Sequence, residues 1–296
     1  MNGGGSIDSP LTADRPSETR DSAFRLAFGG YIGALVGGFV LVWTAFMDAS
    51  VVAVAGVAVS GFLGGFFVGI GIGRLDGRLA DRLGSRWHQR VTVLFSVVPF
   101  SIAAGAAALG GVEPRVGVAA LASTVAVTVA GWVAVRLAET CYVDSITDDD
   151  PVATWQWEPP GNTWLYGIFV VVWLLDGVKY AVSGRWMASI AVAGFAISWL
   201  CIAVDEGVWQ FERMGATPAI RVHEAGLVIQ RPFRRSIVLW EDVSHVRLRD
   251  DELVFDRGFF DVRFDRDEVA DLEAVQTDIE RILERVQIDG FRLLPR

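Results

Sequence analysis

Apolar residues follow two different patterns along this chain, and the change falls at residue 205. Before it lie six nearly unbroken apolar runs, near 26–47, 51–73, 91–111, 116–136, 164–182 and 186–204. Each approximates the ~20 residues of helix that cross a hydrocarbon layer of roughly 30 Å. Only a few residues separate the first run from the second, the third from the fourth and the fifth from the sixth, so the spacing predicts three tight helical hairpins. After residue 205 the runs become short and alternating, at 218–223, 226–231, 235–240, 244–249, 252–256 and 259–264, with turn residues between them. That is the signature of antiparallel strands. A helical period then places Val269, Leu272, Val275, Ile279, Ile282, Leu283 and Val286 on one face, with Asp265 or Asp267 as candidate N-caps. The expected fold class is an α-helical membrane protein with six transmembrane helices and a small α+β C-terminal domain, an antiparallel sheet closed by one helix.

Five segments follow from this pattern. Residues 1–23 are polar and lack an apolar stretch of the kind a secretory signal carries, so they read as a disordered cytosolic tail. Residues 24–138 form a four-helix membrane module and 163–204 a two-helix membrane hairpin. Between them, residues 139–162 hold six acidic residues, no basic one and three prolines, and read as an acidic cytosolic linker. Trp155 and Trp157 in that linker are expected as interfacial anchors, and Asp148 to Asp150 as a solvated acidic loop. Residues 205–296 are the cytosolic domain.

Composition sharpens the setting. A hydrophobic content of 52% and a mean hydropathy of +0.40 are too apolar for an ordinary soluble domain. The basic residues are 25 arginines and one lysine, Lys179, against 22 aspartates and 13 glutamates, for a net charge of -9. An acidic, almost lysine-free surface suits a salt-rich cytoplasm and points to a halophilic archaeon. Positive charge near the helix ends is lopsided: ten arginines (Arg15, Arg20, Arg25, the five from Arg74 to Arg90, Arg136, Arg213) fall on the N-terminal side of the membrane, against Arg115, Lys179 and Arg185 on the other. The excess of basic residues in cytoplasmic loops then places both termini in the cytoplasm of a multi-pass cell-membrane protein.

Two periodic features meet in the second run. Gly61, Gly65, Gly69 and Gly73 recur every fourth residue and line one helix face, where a neighbouring backbone can come close. Arginines at 74, 78, 82, 86 and 90 continue the same period. Within that stretch, "GRLADRLGSR" (77–86) is similar to the signature between the second and third helices of major facilitator transporters, matching at Gly77, Leu79, Ala80, Asp81, Arg82, Gly84 and Arg86. The resemblance implies that Arg78, Asp81, Arg82 and Arg86 form a cytoplasmic charge relay between helix bundles. Against a whole transporter of that class, there are six spans rather than twelve and no second copy of the loop. The bland alternative is a charged hairpin in which Asp81 pairs with Arg78 or Arg82 and the arginines hold the loop in the cytoplasm. "GIGIGR" (69–74) is no dinucleotide-binding turn, since Arg74 occupies the third glycine's place and the preceding run is too long for a strand.

The strand order after residue 205, with Gly226 opening a hairpin, Trp240 followed by Asp242 and Val243, and a final helix, resembles the PH-like domains appended to membrane helices in prokaryotes. The resemblance implies a bent sheet plugged by the helix, with Trp240 in its core. Arg231, Arg234 and Arg235 are the candidate contact for lipid or a protein partner. However, the 20 acidic and 14 basic residues from Asp205 onward oppose an anionic leaflet, and molar salt shortens the screening length to about 3 Å. Peptide docking on a sheet edge or beside the helix is the salt-tolerant use. Candidate chemistry is sparse. His88, His223 and His245 lack any paired ligand spacing, Cys141 and Cys201 form no CxxC, and no nucleophile motif is present. Asp176 and Lys179, three apart within the fifth run, are a possible intramembrane pair, with Arg136 and Glu139 a second at the inner end of the fourth. The expected protein is a non-enzymatic interaction or scaffold protein with no cofactor or metal. Its partners are the lipid bilayer and a protein bound by the cytosolic domain, not nucleic acid. The alternative is a small transporter or half-transporter.

Overall fold

The computed structural model describes residues 15–157, 163–206, 217–249, 252–257 and 261–266, together with Val275, Thr277, Ile279 and Arg281. Among the described residues the protein is mostly helical, with six helices long and apolar enough to cross a membrane and a small antiparallel sheet region.

Helix α1 (Arg15–Phe46) begins inside the stretch expected to be a tail, because no proline or glycine stands between Arg20 and Phe28 to stop the helix growing outward from its apolar run. Residues 1–14 lie outside the described residues. Helix α2 (Val51–Leu75) starts at Ser50, whose hydroxyl accepts from the Ala53 N–H at 3.4 Å. The two helices are packed along their glycines. A Cβ on Gly65 would lie 2.8 Å from the Ile32 carbonyl oxygen, and one on Gly69 would lie 2.8 Å from the Gly29 Cα. Backbone therefore rests on backbone, as small residues every fourth position permit. Short α3 (Leu79–Ser85) carries the arginine-rich loop. The third apolar run is broken into α4 (Trp87–Phe95) and α5 (Val98–Ala108), because Pro99 has no N–H for the Phe95 carbonyl.

Helix α6 (Pro114–Ile146) is the central element, packing against α1, α3, α4 and α5. Its 33 residues amount to roughly 50 Å at 1.5 Å per residue, about 20 Å more than a hydrocarbon layer needs. The surplus is the segment from Glu139 onward, expected as the start of a linker. It stays helical because Arg136, Glu139, Thr140, Val143 and Asp144 recur at spacings of three and four on one packed face. Helices α7 (Thr163–Val182) and α8 (Trp186–Asp205) form a hairpin whose second arm leans on α6.

The described residues include seven strands. One sheet has the order β1-β2-β3-β4 (Ala153–Gln156, Ala219–Val222, Gly226–Gln230, Arg235–Leu239) and the other β5-β6-β7 (His245–Arg249, Glu252–Asp256, Val262–Asp265). Strand β1 comes from the expected linker. It pairs antiparallel with β2 from Ala153↔Val222 to Gln156↔Ala219, so the α7–α8 hairpin is inserted between two neighbouring strands of one sheet. Trp157, expected as an interfacial anchor, is 5% exposed in the sheet core with Ile220, Leu227, Trp240, Phe255 and Phe264, and Trp155 packs against the same cluster. The alternation Ala153, Trp155, Trp157 is a strand's, and burial of the indoles overrides an interfacial role. Val275 and Ile279 are helical and fully packed into this core; the rest of the expected closing helix lies outside the described residues.

Replacing Gly69 by Val drives side-chain atoms into α1, a strain of about 1–3 kcal/mol. Gly64 faces open space. Thermal unfolding in detergent is expected to show a lowered midpoint for Gly69→Val and an unchanged one for Gly64→Val.

Candidate functional site

The chain's main concentration of buried charge lies where the end of α6 meets the sheets. Three arginines and two carboxylates from α4, α6, α8 and the β3–β4 turn converge there. The turn "RPFR" is closed by the Arg231 N–H donating to the Arg234 carbonyl oxygen at 2.8 Å, with Pro232 presetting the second position. This turn delivers Arg234 to α6. Its Nε donates to Glu139 Oε2 at 3.0 Å, its Nη2 to Oε1 at 3.2 Å and its Nη1 to Asp205 Oδ2 at 2.9 Å, so all three nitrogens are used. Arg136 reaches the same two carboxylates, Glu139 at 3.2 Å and Asp205 at 3.0 Å. Arg90 donates to Glu139 Oε1 at 3.2 Å and to the carbonyl oxygens of Leu83 and Gly84. The side chains of Glu139 and Asp205 are each only 10% exposed. A bidentate guanidinium–carboxylate fork is among the strongest polar contacts available, and its planar geometry fixes orientation as well as distance.

Two further contacts extend the seam. The Arg235 N–H donates to Thr140 Oγ1 at 3.3 Å, and Asp144 is shared by the guanidiniums of Arg235 and Arg20. Arg20, Asp144 and Arg235 thereby join α1, α6 and β4. Beside this seam lies a cavity of about 350 Å³ lined by Ser85, Arg90, Glu139, Tyr142, Asp242 and Arg257, in which Arg257 and Asp242 pair at 2.9 Å. Arg231 sits apart. Its guanidinium carbon is 5.3 Å from the centre of the Trp157 ring, its Nε is buried without an acceptor among the described residues, and burial pushes it below the usual arginine range, Arg234 adding to the effect.

The residues singled out from sequence divide accordingly. Gly61, Gly65, Gly69 and Gly73 face α1. In the loop, Arg82 pairs with Asp76 at 3.1 Å, and Asp76 also accepts the Arg78 N–H; no ion pair from Asp81 occurs among the described residues. Asp76, not Asp81, is thus the loop's arginine partner, because it stands at the α2 C-cap facing α3. Gly84 rests against α6, where a Cβ would lie 2.4 Å from the Ala138 carbonyl oxygen. Of the arginines expected to meet lipid or a partner, Arg234 and Arg235 are spent on carboxylates of this chain, while Arg231 stacks on Trp157. Asp176 and Lys179 lie 3.8 Å apart on α7, both largely exposed and remote from the seam. Asp149, read as part of a solvated loop, accepts the Glu224 N–H at 3.1 Å and meets the His223 ring at 3.2 Å. Among the described residues there is no group of three or more His, Cys, Asp or Glu side chains placed to hold a metal ion.

Sequence reading named Arg136 and Glu139 only as a minor pair and passed over Asp144 and Asp205. The available signal was the helical spacing 136–139–140–143–144, masked by the acidity and prolines downstream. Comparison with protein-family models, curated proteins and solved structures finds no match to this chain.

Removing one partner of a buried pair strands the other charge, at a cost of about 3–5 kcal/mol. Glu139→Gln and Arg234→Ala are each expected to destabilise the protein on that scale in denaturant unfolding. Arg247→Ala, at an exposed pair with Asp256, should cost under about 1 kcal/mol. A pH effect follows from Asp149. Partial burial raises its carboxyl, but the Glu224 N–H and the His223 ring outweigh this and hold it below the ordinary value of 3.8. The loop contact is therefore at full strength above that ordinary value and is lost as pH falls through the lowered one. Protection of the Glu224 amide against exchange, relative to a free amide at the same pH, is expected to hold at pH 5 and to be lost only in stronger acid.

Proposed function

We propose that this chain is a six-span cell-membrane protein, both termini in the cytoplasm, that displays a PH-like domain in a fixed pose at the membrane surface as a non-enzymatic interaction or scaffold module. Several observations support the membrane reading. The six apolar helices carry bare outer faces, with Phe67, Leu75 and Leu175 each at least 65% exposed, an arrangement suited to a lipid environment. The arginine-rich end of the bundle is also the end that carries the sheets, which agrees with the positive-inside bias. For the PH-like reading, the support is the four-plus-three division of strands and the helical Val275 and Ile279 packed against them.

The observation that carries the functional reading is the fork of Arg234 on Glu139 and Asp205. A domain tethered by a mobile linker needs no such contact; a domain that must hold a partner at a set height and angle does. The outer edge of β5 pairs with no strand among the described residues and is the natural place for an added peptide strand, whose main-chain hydrogen bonds hold in molar salt. The transporter alternative keeps the loop motif in its favour. However, the cavity of about 340 Å³ between α1, α2 and α6 is lined by Gly37, Leu41, Phe62 and Ser123, almost wholly apolar, and Asp176 and Lys179 do not border it.

Two measurements on the full chain in native membranes test this. A cysteine at Glu241, labelled with an impermeant reagent, is expected to react only after cells are permeabilised. A photoreactive residue at Arg247 is expected to give one discrete polypeptide adduct at molar salt. Labelling in intact cells would reverse the topology, and adducts with lipid alone would sink the scaffold reading.

A further inference from the structure

The turn that carries Arg234 is built inside out. A hairpin turn in water commonly presents polar side chains, glycine or proline to the solvent. In "RPFR" (231–234) both arginines are turned inward, Arg234 onto Glu139 and Asp205 and Arg231 onto the Trp157 ring. Pro232 is buried, and the residue left exposed is Phe233, at 40%. A single exposed apolar side chain is ordinary on a soluble surface, and Val152, just before β1, is such a case. Phe233 differs from Val152 in where the fold holds it.

The strand registers align Gln156, Ala219, Gln230 and Arg235 at one end of the first sheet, and Ala153, Val222, Leu227 and Val238 at the other. The chain leaves β1 for α7 and returns from α8 into β2 at the first of these ends, which is also the end of the β3–β4 turn. Val152 lies at the second. Arg234 Nη1 donates to Asp205 Oδ2 at 2.9 Å, so the turn is tied to the last residue of α8. Tyr166 Oη donates to Glu206 Oε2 at 3.0 Å, which sets the start of α7 level with the end of α8. At that level Trp164 is exposed, and so are Leu165 and Ile202 on the two arms. Phe233 therefore stands where both arms of the hairpin leave their apolar runs, the depth at which aromatic side chains gather at a bilayer boundary.

We infer that Phe233 inserts into the headgroup zone of the inner leaflet, so that the sheets rest on the bilayer itself as well as on α6 and α8. The contact is made by an apolar ring whose neighbouring arginines face away from it. It selects the bilayer boundary and no particular headgroup, and salt does not weaken it as it would a charged contact. This inference rests on the membrane reading proposed above, and the two fail separately.

The test is spin-label accessibility of the full chain in liposomes, with Cys141 and Cys201 replaced and single labelled cysteines at Phe233, Glu241 or Phe67. Collisions with oxygen, which concentrates in the bilayer, are compared with collisions with a water-soluble nickel chelate. Phe67 lies on the bare face of α2, and Glu241 is exposed beyond the far end of β4. The oxygen-to-nickel ratio at Phe233 is expected to be several-fold above that at Glu241 and below that at Phe67. A photoreactive phenylalanine derivative at 233, which keeps the aromatic ring in place, is expected to give lipid adducts. A ratio at Phe233 equal to that at Glu241, protection from both reagents, or polypeptide adducts without lipid overturns the inference. A label at Phe67 that collides freely with the nickel chelate overturns the membrane reading instead.

Discussion

A buried carboxylate on α6, Glu139, is shared by three arginines: Arg136 one turn before it on the same helix, Arg90 in α4 and Arg234 in a hairpin turn of the sheets. Taking a carboxylate out of water costs several kcal/mol, and only close, well-aligned cations repay it. That constraint organises the molecule. It keeps α6 helical beyond the length its apolar part requires and draws Asp205 at the end of α8 into the same cluster. It also leaves the sheets a single way to sit on the bundle. At high salt this form of attachment has a further advantage. Exposed ion pairs fade when the screening length falls to about 3 Å, whereas a desolvated fork is screened far less.

The second consequence is topological. Strand β1 precedes the α7–α8 hairpin and β2 follows it, yet the two pair along their full register. The two ends of the segment that carries the hairpin are therefore joined by one hydrogen-bonded ladder. Together with the Glu139 cluster, this makes the helical and β parts one mechanical unit. Any tilt of α8 carries Asp205 with it and bears directly on Arg234.

How much of this was legible in the sequence depends on which interactions are local. The six long apolar helices and the strands from β2 to β7 come from the pattern within each segment, which locates them to within a few residues. Gly65 and Gly69 were readable as a packing face because the every-fourth spacing belongs to a single helix. The segment from Glu139 to Trp157 was misread because its partners are distant in sequence. Acidity and prolines suggest a linker when Arg20, Arg234 and Arg235 are not known to lie opposite, and "ATWQ" has only four residues with which to announce a strand. Arg234 was misjudged for the same reason: a surface arginine and a buried one look alike until the carboxylate facing it is known.

The claim on which the rest depends is that Arg234 and Glu139 hold the sheets rigidly on the bundle, and a distance distribution tests it most directly. Spin labels at Leu75, at the exposed end of α2, and at Glu241, on the sheet domain, with Cys141 and Cys201 replaced, report on this separation by pulsed electron resonance. A narrow single-peaked distribution is expected for the otherwise native chain and a broad one for Arg234→Gln. A broad distribution in the native chain, or a narrow one that Arg234→Gln leaves unchanged, would contradict the account.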